Sequence, residues 1–243
     1  MRFQVEREIW DKFPDMSLVV AYGKGLDNSF DRPEISERLR SVTERLKADW
    51  GYPNAQSHPY VAPWRPSLKM AGISPANYPC AIESLCRQVI SGREIHDINP
   101  LVNFYNVVSL DNISPVGGWD VGGGRSITLR RTRSGEPFTE LGKTETVFVN
   151  ADEISYTDGH EILTRHFVWR QSECAKITHQ TEEFFLVSEV LPALGPEAVH
   201  RIEQAFAEGA QEYFGVRVRT AVLKADSEEW PFDTTNRVKG LTV

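Results

Sequence analysis

The feature that most constrains this chain is a change of hydrophobic period near Ser126. Before it, apolar residues recur at helical spacing. Ile35, Leu39, Val42, Leu46 and Trp50 fall near one helix face, and Leu101, Phe104, Tyr105 and Val108 form a second stripe. After it, residues 127–131, 145–149, 153–156 and 162–165 alternate, the pattern of strands in an antiparallel sheet. Residues 18–22 and 184–187 are continuously apolar and read as buried strands. A helix over 196–214, with Ala198, Ile202, Ala205, Phe206, Gly209 and Tyr213 inward, precedes a last strand over 216–223. Helices and strands in this mixed order predict the α+β class, a mixed or antiparallel sheet packed by helices. The 243 residues suit one large domain, 1–243, or two small lobes sharing a core, and that core is large enough to need no staples.

Local signals place the helix ends. Asp31 with Glu34 three residues on makes a capping pair, and Pro33 suits a first turn. A helix beginning near Pro79, with Ile82, Leu85, Cys86 and Val89 inward, ends at Gly92. Asn99 and Pro100 supply an N-cap and a first helical residue. On that helix Asn99, Asn103 and Asn106 recur on a polar face. Such a row of carboxamides needs hydrogen-bond partners, from protein or from ligand. Residues 51–79, rich in Pro, Asn, Ser and aromatics, predict a partly looped connection in which Tyr60 and Trp64 pack.

Charge and cysteine usage narrow the function classes. The net charge is −7, so any nucleic acid must land on a local basic patch, and DNA is not expected as a partner. The densest such run is Arg125, Arg130, Arg131 and Arg133. On a strand Arg131 and Arg133 share a face; they serve either an RNA backbone or a charged strand edge. Three cysteines without a CxxC pair predict neither disulfides nor a zinc site. His160, Glu161 and His166 lie on an alternating segment without HExxH spacing, so no metal and no cofactor are expected. The first residues are charged and no apolar run is long enough to span a bilayer, which predicts a cytoplasmic protein without a membrane partner. No pattern fixes an oligomeric state.

Three further strings carry possible chemistry. The glycine run 117–124 lies between a helix and a strand, the wrong order for a nucleotide loop; it reads as a loop with unusual backbone angles, or as backbone that approaches a ligand closely. Cys174 lacks an activating neighbourhood and reads as a packed or surface thiol. The string 167–178 crowds Trp169, Arg170, Gln171, Ser172, Glu173 and Lys176 between two strands; it is either a pocket wall or a polar turn under a Trp lid.

Taken in order, residues 97–110, residues 115–120, and Trp169 to Ser172 with Lys176, Ile177 and Thr178 resemble the B3/B4 domain family, most clearly over 78–189. That family is the editing domain of the phenylalanyl-tRNA synthetase beta subunit and also occurs freestanding. The resemblance implies hydrolysis of mischarged tRNA in trans, with canavanyl-tRNA(Arg) as a candidate substrate. It maps the family's helix Asn onto Asn106 and its loop Pro onto Pro115. Gly117 stands where the synthetase domain has a His, and Lys176, with Glu173 nearby, stands near its acidic position.

An aminoacyl ester is intrinsically reactive, so a site without a catalytic triad suffices if it positions water and stabilises the oxyanion. On that reading Asn106 holds the α-amino group or the carbonyl. Backbone N–H groups of Gly117 and Gly118 form an oxyanion hole, and Ser172, Gln171 or Glu173 orients water. Tyr105, Arg170 or Lys176 supplies a donor to the rejected side chain. A binding module that holds a tRNA end or small ligand without hydrolysis is the alternative.

Overall fold

In the computed structural model, which describes residues 1–227 and 229–233, the chain opens with β1 (Arg2–Val5) and α1 (Arg7–Lys12), elements too short to leave a periodic signature. There follow β2 (Ser17–Lys24), α2 (Pro33–Ala48), α3 (Trp64–Met70), α4 (Ala81–Ile90) and α5 (Pro100–Asn112). Then come β3 (Val116–Asp120), β4 (Ile127–Arg131), β5 (Pro137–Thr139), β6 (Thr146–Phe148), β7 (Ile154–Thr157), β8 (Ile162–Arg165) and β9 (Arg170–Gln171). β10 (Glu183–Val190), α6 (Pro196–Phe214), β11 (Arg219–Leu223) and β12 (Glu229–Pro231) complete the described part. The class is α+β, as the mixed order of periods implied.

The strands make two main sheets. One runs β12-β1-β4-β7-β8-β9, antiparallel except for the parallel pair β1 and β4; the other runs β11-β2-β10-β3 and is antiparallel throughout. Their facing sides share one core, in which Phe3, Ile127, Leu129 and Tyr156 meet Leu18, Val20, Trp119, Phe185 and Val187. The opposite side of the smaller sheet, with Val19, Ala21, Phe184 and Leu186, packs on Leu101, Phe104, Ile202 and Phe206 of α5 and α6. β2 and β10 are therefore covered on both faces, which is why they read as unbroken apolar runs rather than alternating ones.

Several expectations are corrected. α2 takes Arg32 as its N-cap and shows no side-chain cap, so the Asp31–Glu34 pair is one residue out of register; Pro33 occupies the first turn and holds Arg32 extended. The stripe on α5 is not a stripe: ten of its thirteen residues are buried, because helices and a sheet surround it. The strand expected at 145–149 forms only a ribbon with β5, outside both main sheets, and leaves Phe148 72% exposed. Gly117 and Gly118 lie inside a strand; of the glycine run only Gly123 and Gly124 adopt positive φ.

The carboxamide row is largely satisfied by protein. Asn99 Oδ1 accepts from Val102 N–H at 3.1 Å and from Asn28 Nδ2 at 3.0 Å, and Asn103 donates to Asp97. The Asn106 side chain is half-buried and makes no hydrogen bond among the described residues.

The crossing of α5 and α6 depends on Gly209, where a Cβ would collide with the ring of Phe104. Gly209→Ala raises helix propensity by about 1 kcal/mol but overpacks this contact at about 1–3 kcal/mol. Net destabilisation in urea unfolding is expected; a stabilised variant would show that the helices separate freely.

Candidate functional site

The turn from α5 to β3 is drawn tight by hydroxyls. Ile113 caps α5 in the left-handed region (φ 49°), Ser109 donates to the Ser114 carbonyl at 2.6 Å, and Ser188 donates to the Pro115 carbonyl at 2.8 Å. This fixes Pro115 and starts β3 along β10. β3 is the last strand of its sheet, so one of its edges is free of strand pairing.

The two glycines then differ in role. Asp120 N–H donates outward to the Ala175 carbonyl at 2.9 Å, and the Gly118 carbonyl accepts outward from Gln171 Nε2 at 2.7 Å. Because N–H and C=O of one residue point to the same edge and alternate along a strand, Gly118 N–H faces the free edge while Gly117 N–H turns toward Val187 of β10. Side-chain directions alternate as well. A Cβ at Gly118 would strike Leu186, whereas one at Gly117 would meet nothing within 4 Å. The empty space over Gly117 is part of a cavity.

That cavity encloses about 130 Å³ between the two sheets. It is lined by Tyr105, Pro115, Gly117 and Gly118 from α5 and β3, by Trp169 and Gln171 from the 167–171 string, and by Trp119, Tyr156, Phe167, Val187 and Glu189. Of the residues singled out from the sequence, it thus joins Tyr105, Pro115, Gly117, Gly118, Trp169 and Gln171. Wider hollows exist; the one of about 380 Å³ between α2 and residues 92–97 is walled by exposed charged side chains, which bind water as readily as a ligand.

The other predicted residues do not line the cavity, Asn106 of α5 among them, because it faces away from Tyr105 on the helix turn. Ser172 is fully buried, donating to the Thr139 carbonyl at 3.0 Å and accepting from Cys174 N–H at 2.9 Å. Glu173 pairs with Lys176 and accepts from Gly142 N–H at 2.6 Å; both partners hold its carboxyl below the usual range. Arg170 pairs with Glu140. Arg131 is held by Glu8 at 3.0 Å and by the Asp152 carbonyl at 2.7 Å, and Arg133 is exposed. Burial pushes the Cys174 thiol up to about 11. Burial takes His166 down to about 4, so at neutral pH it is an uncharged ring stacked on Tyr78 despite Glu153 nearby. Among the described residues no group of three or more His, Cys, Asp or Glu side chains could hold a metal ion.

Sequence reasoning missed the polar pair at the heart of the cavity. Glu189 is buried in β10, and its Oε1 accepts from the Tyr156 hydroxyl at 2.5 Å. Desolvation pushes its carboxyl up to about 8 although the Tyr156 hydrogen bond works the other way. The signal was present: Ser188 and Glu189 interrupt an otherwise apolar run, and a carboxyl on a strand buried on both faces must have a reason to be there. The Trp119 indole N–H, also at this cavity, is buried without an acceptor among the described residues.

The pair generates a pH signature. A free glutamate titrates near about 4.3, so above that pH the unfolded chain releases a proton that folded Glu189 keeps until about 8. The contribution to stability is complete below the unfolded value, falls as pH rises, and stops falling once the folded carboxyl ionises. Glu189→Gln should flatten this slope in urea unfolding between about pH 4.3 and 8; an unaltered slope would place its source elsewhere.

The family model described as the B3/4 domain matches residues 65–218, well over half of the chain. A comparison with curated proteins finds no match. Among solved structures, an N-terminal fragment of the phenylalanyl-tRNA synthetase beta-subunit from Pyrococcus horikoshii is similar, at 12% identity and a TM-score of 0.45; the alignment covers 89% of this chain and 50% of that one. The chain therefore spans about half the length of that fragment. The matched segment contains every residue that lines the cavity, from Ala81 to Glu189, and the chain belongs to the B3/4 domain family.

Proposed function

We propose that this protein is a trans-editing aminoacyl-tRNA deacylase, which hydrolyses the ester joining a wrong amino acid to its tRNA. The observation that carries the reading is the cavity at the free edge of β3. Its volume suits one amino-acid side chain, and its wall is built from the strings whose order resembles the editing domains.

The chemistry asks little of the site. Water attacks the ester carbonyl, the tetrahedral oxyanion collapses, and the ribose hydroxyl leaves with the proton that water gave up; acid and alcohol are the products. Gly118 N–H, which faces the edge free of strand pairing, is the proposed oxyanion donor. Tyr105, whose hydroxyl burial keeps protonated, holds the α-amino group or carbonyl from α5. Gln171 fixes the edge through the Gly118 carbonyl. Ser172, Glu173, Lys176 and Arg170 act at one remove, bracing the wall through Thr139, Gly142 and Glu140.

Specificity rests on Glu189 and Tyr156. A carboxyl that ionises only near 8 greets a weakly basic, hydrogen-bonding terminus better than a full cation, which would enter without a ready counter-charge. Canavanine, less basic than arginine, fits that description, and canavanyl-tRNA(Arg) is the candidate substrate. The second reading, a binding module without turnover, draws on two observations: Ser172 is buried and the Cys174 thiol is held protonated, so neither serves as a nucleophile.

Incubation with a panel of mischarged tRNAs separates the two. Deacylation of one of them supports the enzyme; binding without turnover selects the module. Gly117→Leu places a side chain in the open cavity without a backbone clash, so it should cut hydrolysis by about a hundred-fold while the thermal midpoint stays put. Undiminished hydrolysis in that variant would remove the cavity from the reaction. Arg131 and Arg133 are proposed to meet the tRNA backbone. Their joint replacement by Ala should raise KM and flatten its salt dependence with kcat unchanged; unaltered KM and salt slope would move the RNA contact to the face of α2 with Arg38, Arg45 and Lys47.

A further inference from the structure

A cavity of about 130 Å³ is of the size of one amino-acid side chain. If the ligand is the charged tRNA end argued above, the ribose and base on the same ester must lie outside, against the rim. Five aromatic side chains line the cavity: Tyr105, Trp119, Tyr156, Phe167 and Trp169. Four are buried, and Trp169 alone is partly exposed.

Trp169 is held there by an unusual piece of backbone. His166 and Phe167, just before it, both adopt left-handed φ angles of 48° and 65°, which side-chain-bearing residues rarely do. The turn is braced from three sides. The His166 ring stacks on Tyr78 with centroids 3.5 Å apart, Phe167 N–H donates to the Ile154 carbonyl at 2.6 Å, and Ala81 N–H donates to the Val168 carbonyl at 2.7 Å. Tyr78 also meets the edge of the Trp169 indole, with centroids 4.8 Å apart and planes at 69°. The Arg170 guanidinium lies over the indole ring at 5.0 Å, steered by its pairing with Glu140. A rigid, partly exposed indole with a planar cation over it is the arrangement that single-stranded nucleic acid sites use to stack a base.

We propose that Trp169, with Arg170, is the platform on which the terminal base of the tRNA acceptor end stacks. It is a positioning device: it registers the nucleotide so that the ester meets Gly118 while the side chain enters the cavity. The proposal rests on the deacylase reading for the identity of the ligand, but stacking needs no hydrolysis, so the two can fail separately.

The probe is an uncharged acceptor minihelix ending in CCA, compared with one whose terminal sugar lacks its base, with affinity read by fluorescence anisotropy. The wild-type protein should lose about ten-fold in affinity when the base is removed. Trp169→Ala should bind both minihelices alike, and Trp169→Phe should keep part of the difference, because a smaller ring still stacks. The same base-dependent loss in Trp169→Ala as in the wild type would overturn the platform, as would a wild-type protein indifferent to the base. A base-dependent affinity together with no turnover of any charged tRNA would count against the deacylase and support the platform.

Discussion

Burial of β2 and β10 on both faces is the constraint on which the rest of this structure depends. A strand in that position must be apolar in two directions, and every polar atom on it needs a partner. β10 obeys from Phe184 to Val187 and then departs, with Ser188 tied to the Pro115 carbonyl and Glu189 to the Tyr156 hydroxyl. The first contact sets where β3 begins; the second puts a carboxyl between the sheets. Both follow from one strand running out of apolar residues beside a neighbour that ends its sheet.

Glycine then opens the space. With a side chain at Gly117 the facing surfaces of Trp119, Tyr156 and Phe167 would have something to close on; without one they leave a hollow with Glu189 in its wall. Gly118 is glycine for a different reason, close approach to Leu186 and the Phe185 carbonyl across the sheet. Adjacent identical residues thus serve a cavity on one face and tight packing on the other. The alternation of a strand makes that division unavoidable.

The fold and the site were legible to different degrees. Helices long enough to repeat their period, α2, α4, α5 and α6, were readable, as were β2, β4, β7, β8 and β10. β1, α1 and β9 were not, because four, six and two residues carry too little periodicity. The glycines pointed to a loop because their propensity favours one, and pairing with β10 overrode it. The polar string 167–178 stood out as either a pocket wall or a polar turn, because composition treats its side chains alike. The structure sends Gln171 to the Gly118 carbonyl and Ser172 into the interior, since neighbours on a strand face opposite ways.

By itself the sequence determined the class of fold, the start of α5, both ends of α6 and some of the residues that line the cavity, all of which rest on local periods and on motif order. Tertiary structure alone decided which polar groups face the cavity. Asn99 and Asn103 are consumed by Asn28 and Asp97, Asn106 lies outside the cavity lining, and Arg131 is taken by Glu8 of the chain's first helix. Glu189 and Tyr156 lie 33 residues apart and on different sheets. Their meeting depends on how two sheets stack, and burial, not residue type, is what gives that carboxyl its altered acidity.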